Sequence, residues 1–392
     1  MGARREILWL FAWSRIAVWV GAVFALLTFV PDGDPTKIHR DDPHLIHGLG
    51  YLTDVWARWD SYWFIRIAHH GYDVAAGAPA FYPLYPGLVA AVGRIFLGHY
   101  VLAGLVVSLL ATLGSFVLLE RLTTRLLGPD VARRSVLFLA IFPMSLFLQA
   151  VYSESIFLFV AIAAFLAAER RSFLLAGFCC GLALLARPTG LAVLLGLIVL
   201  ALRSPRRLRD LAALAIVVPV FAIFPLVLWI QTGHPFTFLH VERLWYRQTA
   251  TLGPVGGLWE AARAAWGSIL QLTIGSNTHW YWEPVSPDHF AALNLESTLF
   301  FGFAVMLGIV AWRKLGAPYG LMALASVIAP TAEPTHTLPL LSMPRFTLVA
   351  FPIFIALAAL CTSPRTERIV VGVSATLLGV AVVQWALWQF VS

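Results

Sequence analysis

Asp60 stands in the middle of an aromatic stripe. In Asp54-Val-Trp-Ala-Arg-Trp-Asp-Ser-Tyr-Trp-Phe-Ile-Arg-Ile-Ala-His69 the apolar residues recur with a helical period. At about 100° per residue, Trp56, Trp63, Phe64 and Ile67 share one face and Asp60 points into it. The opposite face carries Asp54, Arg58, Ser61 and His69. The spacing therefore predicts a helix lying in a membrane interface, where Trp and Tyr are at home. An ionisable group on the lipid-side face is costly and by default marks function, because desolvation raises a carboxylate's pKa and makes it a better base near neutral pH. The plainer readings are that Asp60 caps a helix beginning at Ser61, or pairs with Arg58. The residues that follow, Gly71-Tyr72 and Ala80-Phe-Tyr-Pro-Leu-Tyr-Pro86, make an aromatic, proline-rich bend suited to orient a sugar or a lipid head group.

Two arginines lie in similarly apolar surroundings. Arg187, between Leu185-Ala186 and Pro188-Thr-Gly190, interrupts a stretch too long for one span, which places it at the outer turn of a helical hairpin. Arg345, in Ser342-Met-Pro-Arg-Phe346, opens another helix at the same level. Guanidinium is always charged and binds phosphate bidentately, so the pair suits a phosphate-bearing lipid; snorkelling without a ligand is the alternative. Tyr152-Ser-Glu-Ser155 reads as an external polar turn in which Glu154 is either a second catalytic or hydrogen-bonding group or a turn residue in water. Further on, Gly233-His-Pro-Phe-Thr-Phe238, Trp245 and Arg247 lead to Asn277, His279, Trp280, Tyr281, Trp282 and Glu283. That last cluster reads equally as a carbohydrate platform and as an interfacial belt. The histidines show no clear metal-ligand spacing, and Cys179, Cys180 and Cys361 sit in apolar runs as small buried hydrophobes.

The elements that must position these groups are membrane helices. Hydrophobic residues make up 60% of the chain and charged ones 12%, with a mean hydropathy of +0.81. A soluble domain carries roughly twice that share of charge. Apolar runs long enough to span recur about eleven times, the first from Leu8 to Val30, too long for a signal-peptide core. The net charge of +7 could suggest nucleic acid. However, the basic residues fall in short clusters between the runs: Arg121, Arg125, Arg133 and Arg134; Arg170 and Arg171; Arg203, Arg206, Arg207 and Arg209; Arg313 and Lys314; Arg365 and Arg368. The positive-inside rule then puts the N-terminus in the cytoplasm and two long loops, about 31–99 and about 231–289, outside with all 11 histidines. The whole of 1–392 reads as one transmembrane domain, since no Pro/Ser linker or tandem repeat divides it.

Walker, GxGxxG, HExxH and GxSxG motifs in a fitting context are lacking, which removes support for nucleotide-dependent and protease chemistry. A transporter would show pseudo-symmetric halves and midplane polar residues, whereas here the charges gather at one interface.

Arg58-Trp-Asp60, Ile67-Ala-His-His-Gly-Tyr72 and Ala80-Phe-Tyr-Pro-Leu-Tyr-Pro86 resemble, in order and spacing, the first external loop of the PIG-V type mannosyltransferases, a family of the GT-C superfamily. Tyr152-Ser-Glu-Ser155 and Gly181-Leu-Ala-Leu-Leu-Ala-Arg-Pro-Thr-Gly190 resemble further blocks of that family, and Met343-Pro-Arg-Phe346 does so more loosely. The resemblance implies an all-α polytopic GT-C fold with external juxtamembrane helices, in the cell membrane for a prokaryotic member. It implies inverting transfer of mannose from a polyprenyl-phosphate donor to a lipid or glycan hydroxyl, with no metal or other cofactor. Asp60 maps onto the family's acidic base. Arg187 and Arg345 would then face the donor phosphate, and Arg58, Trp59, His70, Tyr82, Tyr85, Glu154 and His279 the substrates. A related transferase of another sugar, or one acting on protein, would look the same in sequence.

Overall fold

The computed structural model describes residues 2–30, 52–275 and 287–391. His279 and the rest of the 277–283 cluster lie outside the described residues. The long helices are α1 (Gly2–Thr28), then α2 (Ser61–His70), α3 (Leu84–Ile95), α4 (Tyr100–Leu127), α5 (Pro129–Ala140) and α6 (Glu154–Glu169). They continue with α7 (Phe173–Ala186), α8 (Gly190–Leu202), the Arg207–Thr232 run as α9, α10 (Pro254–Ile274), α11 (Pro287–Leu315) and α12 (Ala317–Ile328). The last three are α13 (Met343–Val349), α14 (Pro352–Leu360) and α15 (Pro364–Ala386).

Among the described residues, five helices are long and apolar enough to cross a membrane, or six if α13 and α14, bent by 79°, count as one broken span. The sequence suggested about eleven runs; several are instead shorter apolar helices such as α7, α8 and α12. The cause is local. Arg187-Pro188, Phe142-Pro143 and Ala329-Pro330 each interrupt an apolar run, because proline supplies no backbone N–H and clashes with the preceding turn.

At the centre lies α6, whose Ile-Phe-Leu-Phe-Val-Ala-Ile-Ala-Ala-Phe sequence is apolar all round and is buried on nearly every side. It packs against α4, α7 and α8, and α13 meets its N-terminal end. Its other end is basic: Arg125 donates to the Glu169 carbonyl at 3.2 Å, and Tyr319 on α12 donates to the Glu169 carboxylate at 2.8 Å. A charge buried inside the first span, Arg15, has found polar partners as such a residue must. It donates at 2.7 Å to the carbonyls of Ala140 and Ser145, which the break between α5 and the 3₁₀ segment Pro143–Leu148 leaves free.

The stripe around Asp60 is not one helix. A 3₁₀ turn, Asp54–Trp56, is followed by a loop, and α2 begins only at Ser61. Trp59, at φ 51°, takes a left-handed conformation that an α-helix cannot continue through. The expected polar face is also not a solvent face, for Asp54, Arg58 and Ser61 are all buried.

Candidate active site

Four charged side chains from four elements converge. Arg345, in the first turn of α13, donates from Nη1 to Asp60 Oδ2 at 2.8 Å, and from Nε and Nη2 to Glu154 Oε1 at 2.7 Å each. Arg187, at the turn between α7 and α8, reaches the same Glu154 Oε1 through Nη1 at 2.6 Å and also donates to Ser153 Oγ at 3.3 Å. The turn geometry expected for Arg187 and the helix start expected for Arg345 both hold, and Glu154 is what joins them. Glu154 is not in water: its side chain is 0% exposed, and its Oε2 is a buried oxygen without a hydrogen-bond partner. Asp60 is the most open of the four, 32% exposed against 12% for Arg345. The rim is thus Asp60, and the two cations are fixed behind it on a buried anion.

Asp60 occupies the position before α2, where its carbonyl accepts the Trp63 and Phe64 amides, but its carboxylate caps nothing. The side chain is therefore free for Arg345, and the pairing with Arg58 considered from sequence does not occur. Arg58 instead lies with its guanidinium 4.1 Å from the centroid of the Trp388 ring, close enough for cation–π attraction. Tyr152 holds the loop from below: its hydroxyl accepts the Asp60 amide at 3.0 Å and donates to the Arg58 carbonyl at 3.1 Å. Its ring and that of Phe147 lie side by side against the Arg345 guanidinium, at 4.7 and 5.0 Å.

The end of α15 and the segment after it close the back. Trp385 Nε1 donates to the Val55 carbonyl at 2.7 Å, and Trp59 meets Trp388 and Phe390 edge-on at 6.1 and 5.5 Å. Sequence reasoning singled out none of these C-terminal aromatics. Their only signal was the density of Trp and Phe after Val383.

On the open side, Trp63 and Phe81 stack at 5.6 Å, and Trp245 of the second long loop stands edge-on to both. Arg247 ties that loop to the 333–341 segment by donating to the carbonyls of Glu333 and Leu341, and pairs with Glu242 at 3.7 Å. Burial pushes the Glu242 carboxyl above its ordinary range, Arg247 opposing the rise and Glu333 and Asp60 adding to it. The Tyr82 phenol is likewise raised, by burial first and then by Glu242 and Glu333. This wall is aromatic and acidic, opposite in character to the arginine floor.

Other residues singled out from sequence lie elsewhere. Tyr85 is fully buried, its hydroxyl bonded to the Gly104 carbonyl at 3.0 Å and to Ser108 Oγ at 2.8 Å, which makes it a packing residue between α3 and α4. Tyr82 packs on Phe224 and Phe238 at the far side of the Pro83 bend. His70 is exposed beside His69 at the end of α2, roughly 15 Å from Asp60 at an α-helical rise of about 1.5 Å per residue. Between the two loops a cleft of about 760 Å³ is lined by Tyr72, Asp73, Pro79, His234, His240 and others, and none of the four charged residues borders it. Among the described residues, no group of three or more His, Cys, Asp and Glu side chains could hold a metal ion.

Residues 47–204 match the sequence family described as mannosyltransferase (PIG-V). No curated protein matches the chain in sequence. Among solved structures, ArnT from Cupriavidus metallidurans bound to undecaprenyl phosphate superposes with a TM-score of 0.54 at 16% identity, over 94% of this chain and 62% of ArnT. The apo ArnT gives 0.51 at 17% identity over 93% and 61%. The apo oligosaccharyltransferase of Archaeoglobus fulgidus gives 0.44 at 13% identity over 94% and 56%. The chain thus spans less than two thirds of the length of these structures. With five or six helices among the described residues able to cross a membrane and the fold of ArnT, the chain is an integral membrane protein of the GT-C glycosyltransferase fold, and its residues 47–204, which hold Asp60, Glu154 and Arg187, match the mannosyltransferase (PIG-V) family.

Proposed function

We propose that the protein transfers mannose from a polyprenyl-phosphate donor to a hydroxyl of a lipid or glycan acceptor on the non-cytoplasmic side of the membrane. The observation that carries this reading is the partly exposed Asp60 carboxylate paired with Arg345, which the buried Glu154 holds together with Arg187. In the step, the acceptor oxygen attacks C1 of the sugar and its proton passes to Asp60. The bond from C1 to the phosphate oxygen breaks, and the electron pair leaves with the prenyl phosphate. Arg345 and Arg187 would offset the charge that develops there, in a dry setting where such donors act strongly.

The second carboxylate's position favours a single displacement. Glu154 is fully buried with one oxygen committed to both arginines, so it is not placed to attack C1 as a nucleophile. One accessible carboxylate acting as base supports inversion at the anomeric carbon. Trp63, in the first turn of the helix that Asp60 precedes, offers with Phe81 and Trp245 flat apolar faces of the kind that sugar rings pack on. Sidedness rests on the basic connections at the opposite end of α6.

The reading is tested by supplying radiolabelled mannose on a synthetic polyprenyl phosphate, with a membrane lipid extract as acceptor, to the purified protein and to Asp60→Asn. Labelled product from the wild type, lost in the mutant with the fold retained, is the expected result. An equally active mutant would overturn Asp60 as base. Transfer only from another prenyl-phosphate sugar would overturn mannose.

A further inference from the structure

The Arg345–Asp60 contact poses a difficulty for the proposed chemistry, because a carboxylate oxygen that should accept the acceptor's proton is already occupied by Arg345 Nη1 at 2.8 Å. The geometry points to a resolution: the donor phosphate replaces Asp60 on Arg345 Nη1, so that occupation of the donor site releases the base. This inference rests on the reading of Asp60 as base and of the arginines as the phosphate site.

Three features support an exchange in which the arginine stays and the carboxylate turns. The guanidinium is planar and rigid, and Nε and Nη2 are both held by Glu154 Oε1, so Nη1 is a donor fixed in space. The rings of Phe147 and Tyr152 pack against the same group at 5.0 and 4.7 Å. Asp60, by contrast, is nearly three times as exposed as Arg345, at 32% against 12%, and its carboxylate has no helix-capping bond that turning would break. Its backbone is anchored independently by the Tyr152 hydroxyl, so the side chain can change rotamer without moving the loop.

Charge accounting agrees. At rest the two arginines and two carboxylates cancel, a balance that favours neither binding nor release of an anion. A donor phosphodiester that takes Nη1 leaves Asp60 without its counter-ion and within electrostatic reach of the Glu242 carboxyl. After transfer the proton sits on Asp60 and the extra negative charge on the leaving phosphate, which is where Nη1 already points. Total charge is unchanged, and the cation is opposite the anion at both ends of the step. Glu154 is the positioning residue of this device: it keeps two like-charged guanidinium groups together and fixes the direction of Nη1.

The test is the affinity of the intact protein in lipid nanodiscs for undecaprenyl phosphate, measured for the wild type, Asp60→Asn and Glu242→Gln alongside mannose transfer. Exchange makes Asp60 a competitor of phosphate, so Asp60→Asn should bind about 2- to 10-fold more tightly, the weight of one partly exposed ion pair. Glu242→Gln removes a nearby negative charge without touching Arg345, and its smaller gain measures repulsion alone. Equal gains in the two mutants, or none in Asp60→Asn, with transfer lost in the latter, would overturn the exchange and leave Asp60 as base. Retained transfer in Asp60→Asn would overturn both. A wild-type structure with undecaprenyl phosphate gives an independent answer. A phosphate oxygen should lie on Arg345 Nη1 with Asp60 Oδ2 beyond about 4 Å, outside ion-pair range; an unchanged Arg345–Asp60 contact would end the proposal.

Discussion

The guanidinium of Arg58 rests 4.1 Å from the centroid of the Trp388 ring, which ties the segment after the last helix to the residue two before Asp60. Trp388 also meets Trp59, whose left-handed backbone aims Asp60 away from the helix that precedes it. A non-glycine residue in that conformation persists only where its surroundings hold it. Trp388→Ala should therefore loosen the Asp60 loop while leaving the arginine floor intact. We expect kcat for mannose transfer to fall about 10- to 100-fold, the usual cost of a misplaced catalytic group, with the donor KM nearly unchanged. A matched rise in KM would show instead that the tail shapes the donor site.

Glu154 carries the buried charge of both arginines on one oxygen. Glu154→Gln keeps the shape but leaves two guanidinium groups facing each other with one anion, Asp60, at the edge. Breaking a buried pair in this way costs about 3–5 kcal/mol. Thermal unfolding in detergent should show a clearly lowered midpoint, and Glu154→Ala should be at least as damaging. A mutant as stable as the wild type would mean that the arginines find other anions.

The sequence alone marked Asp60, Arg187 and Arg345, because an ionisable group inside an apolar run is rare enough to stand out. Which of them pair was not legible. Arg345 and Asp60 are 285 residues apart, and only tertiary packing decides that Asp60 meets Arg345 rather than Arg58, its near neighbour. Helical periodicity predicted one helix through Asp60, and the prediction failed at Trp59, where a local backbone turn overrides a sound apolar pattern. For Tyr152-Ser-Glu-Ser155 the sequence leaves open whether Glu154 is a hydrogen-bonding group or a turn residue in water, and the structure gives the first. A short polar tetrapeptide between apolar runs has the composition of a wet turn, and nothing in it says that two distant arginines will bury it.

Gly190 sets the spacing of the hairpin that presents Arg187. A Cβ there would come within 2.6 Å of the Leu184 nitrogen and 2.7 Å of its Cα, both backbone atoms of the preceding helix that cannot swing away. Gly190→Val should push α7 and α8 apart and displace Arg187 from Glu154, lowering transfer at least about 10-fold, since small displacements at a site of this kind are costly. Gly372→Val on α15, where a Cβ would meet nothing within 4 Å, is the matched control and should be silent. Equal effects of the two substitutions would refute the spacing argument.

The two arginines should respond differently to lysine. Arg187 makes both of its polar contacts, to Glu154 and Ser153, through Nη1 alone, a task that one ammonium can take over. Arg345 uses Nε, Nη1 and Nη2 to span two carboxylates, and lysine has no fork with which to do so. Arg345→Lys should cost about 100-fold or more in kcat/KM, on the scale of losing one oriented charged donor, while Arg187→Lys should cost about 10-fold or less. Steady-state transfer with polyprenyl-phosphate mannose decides the matter. The reverse order would mean that Arg187, rather than Arg345, carries the phosphate, and that the contact with Asp60 only holds the loop in place.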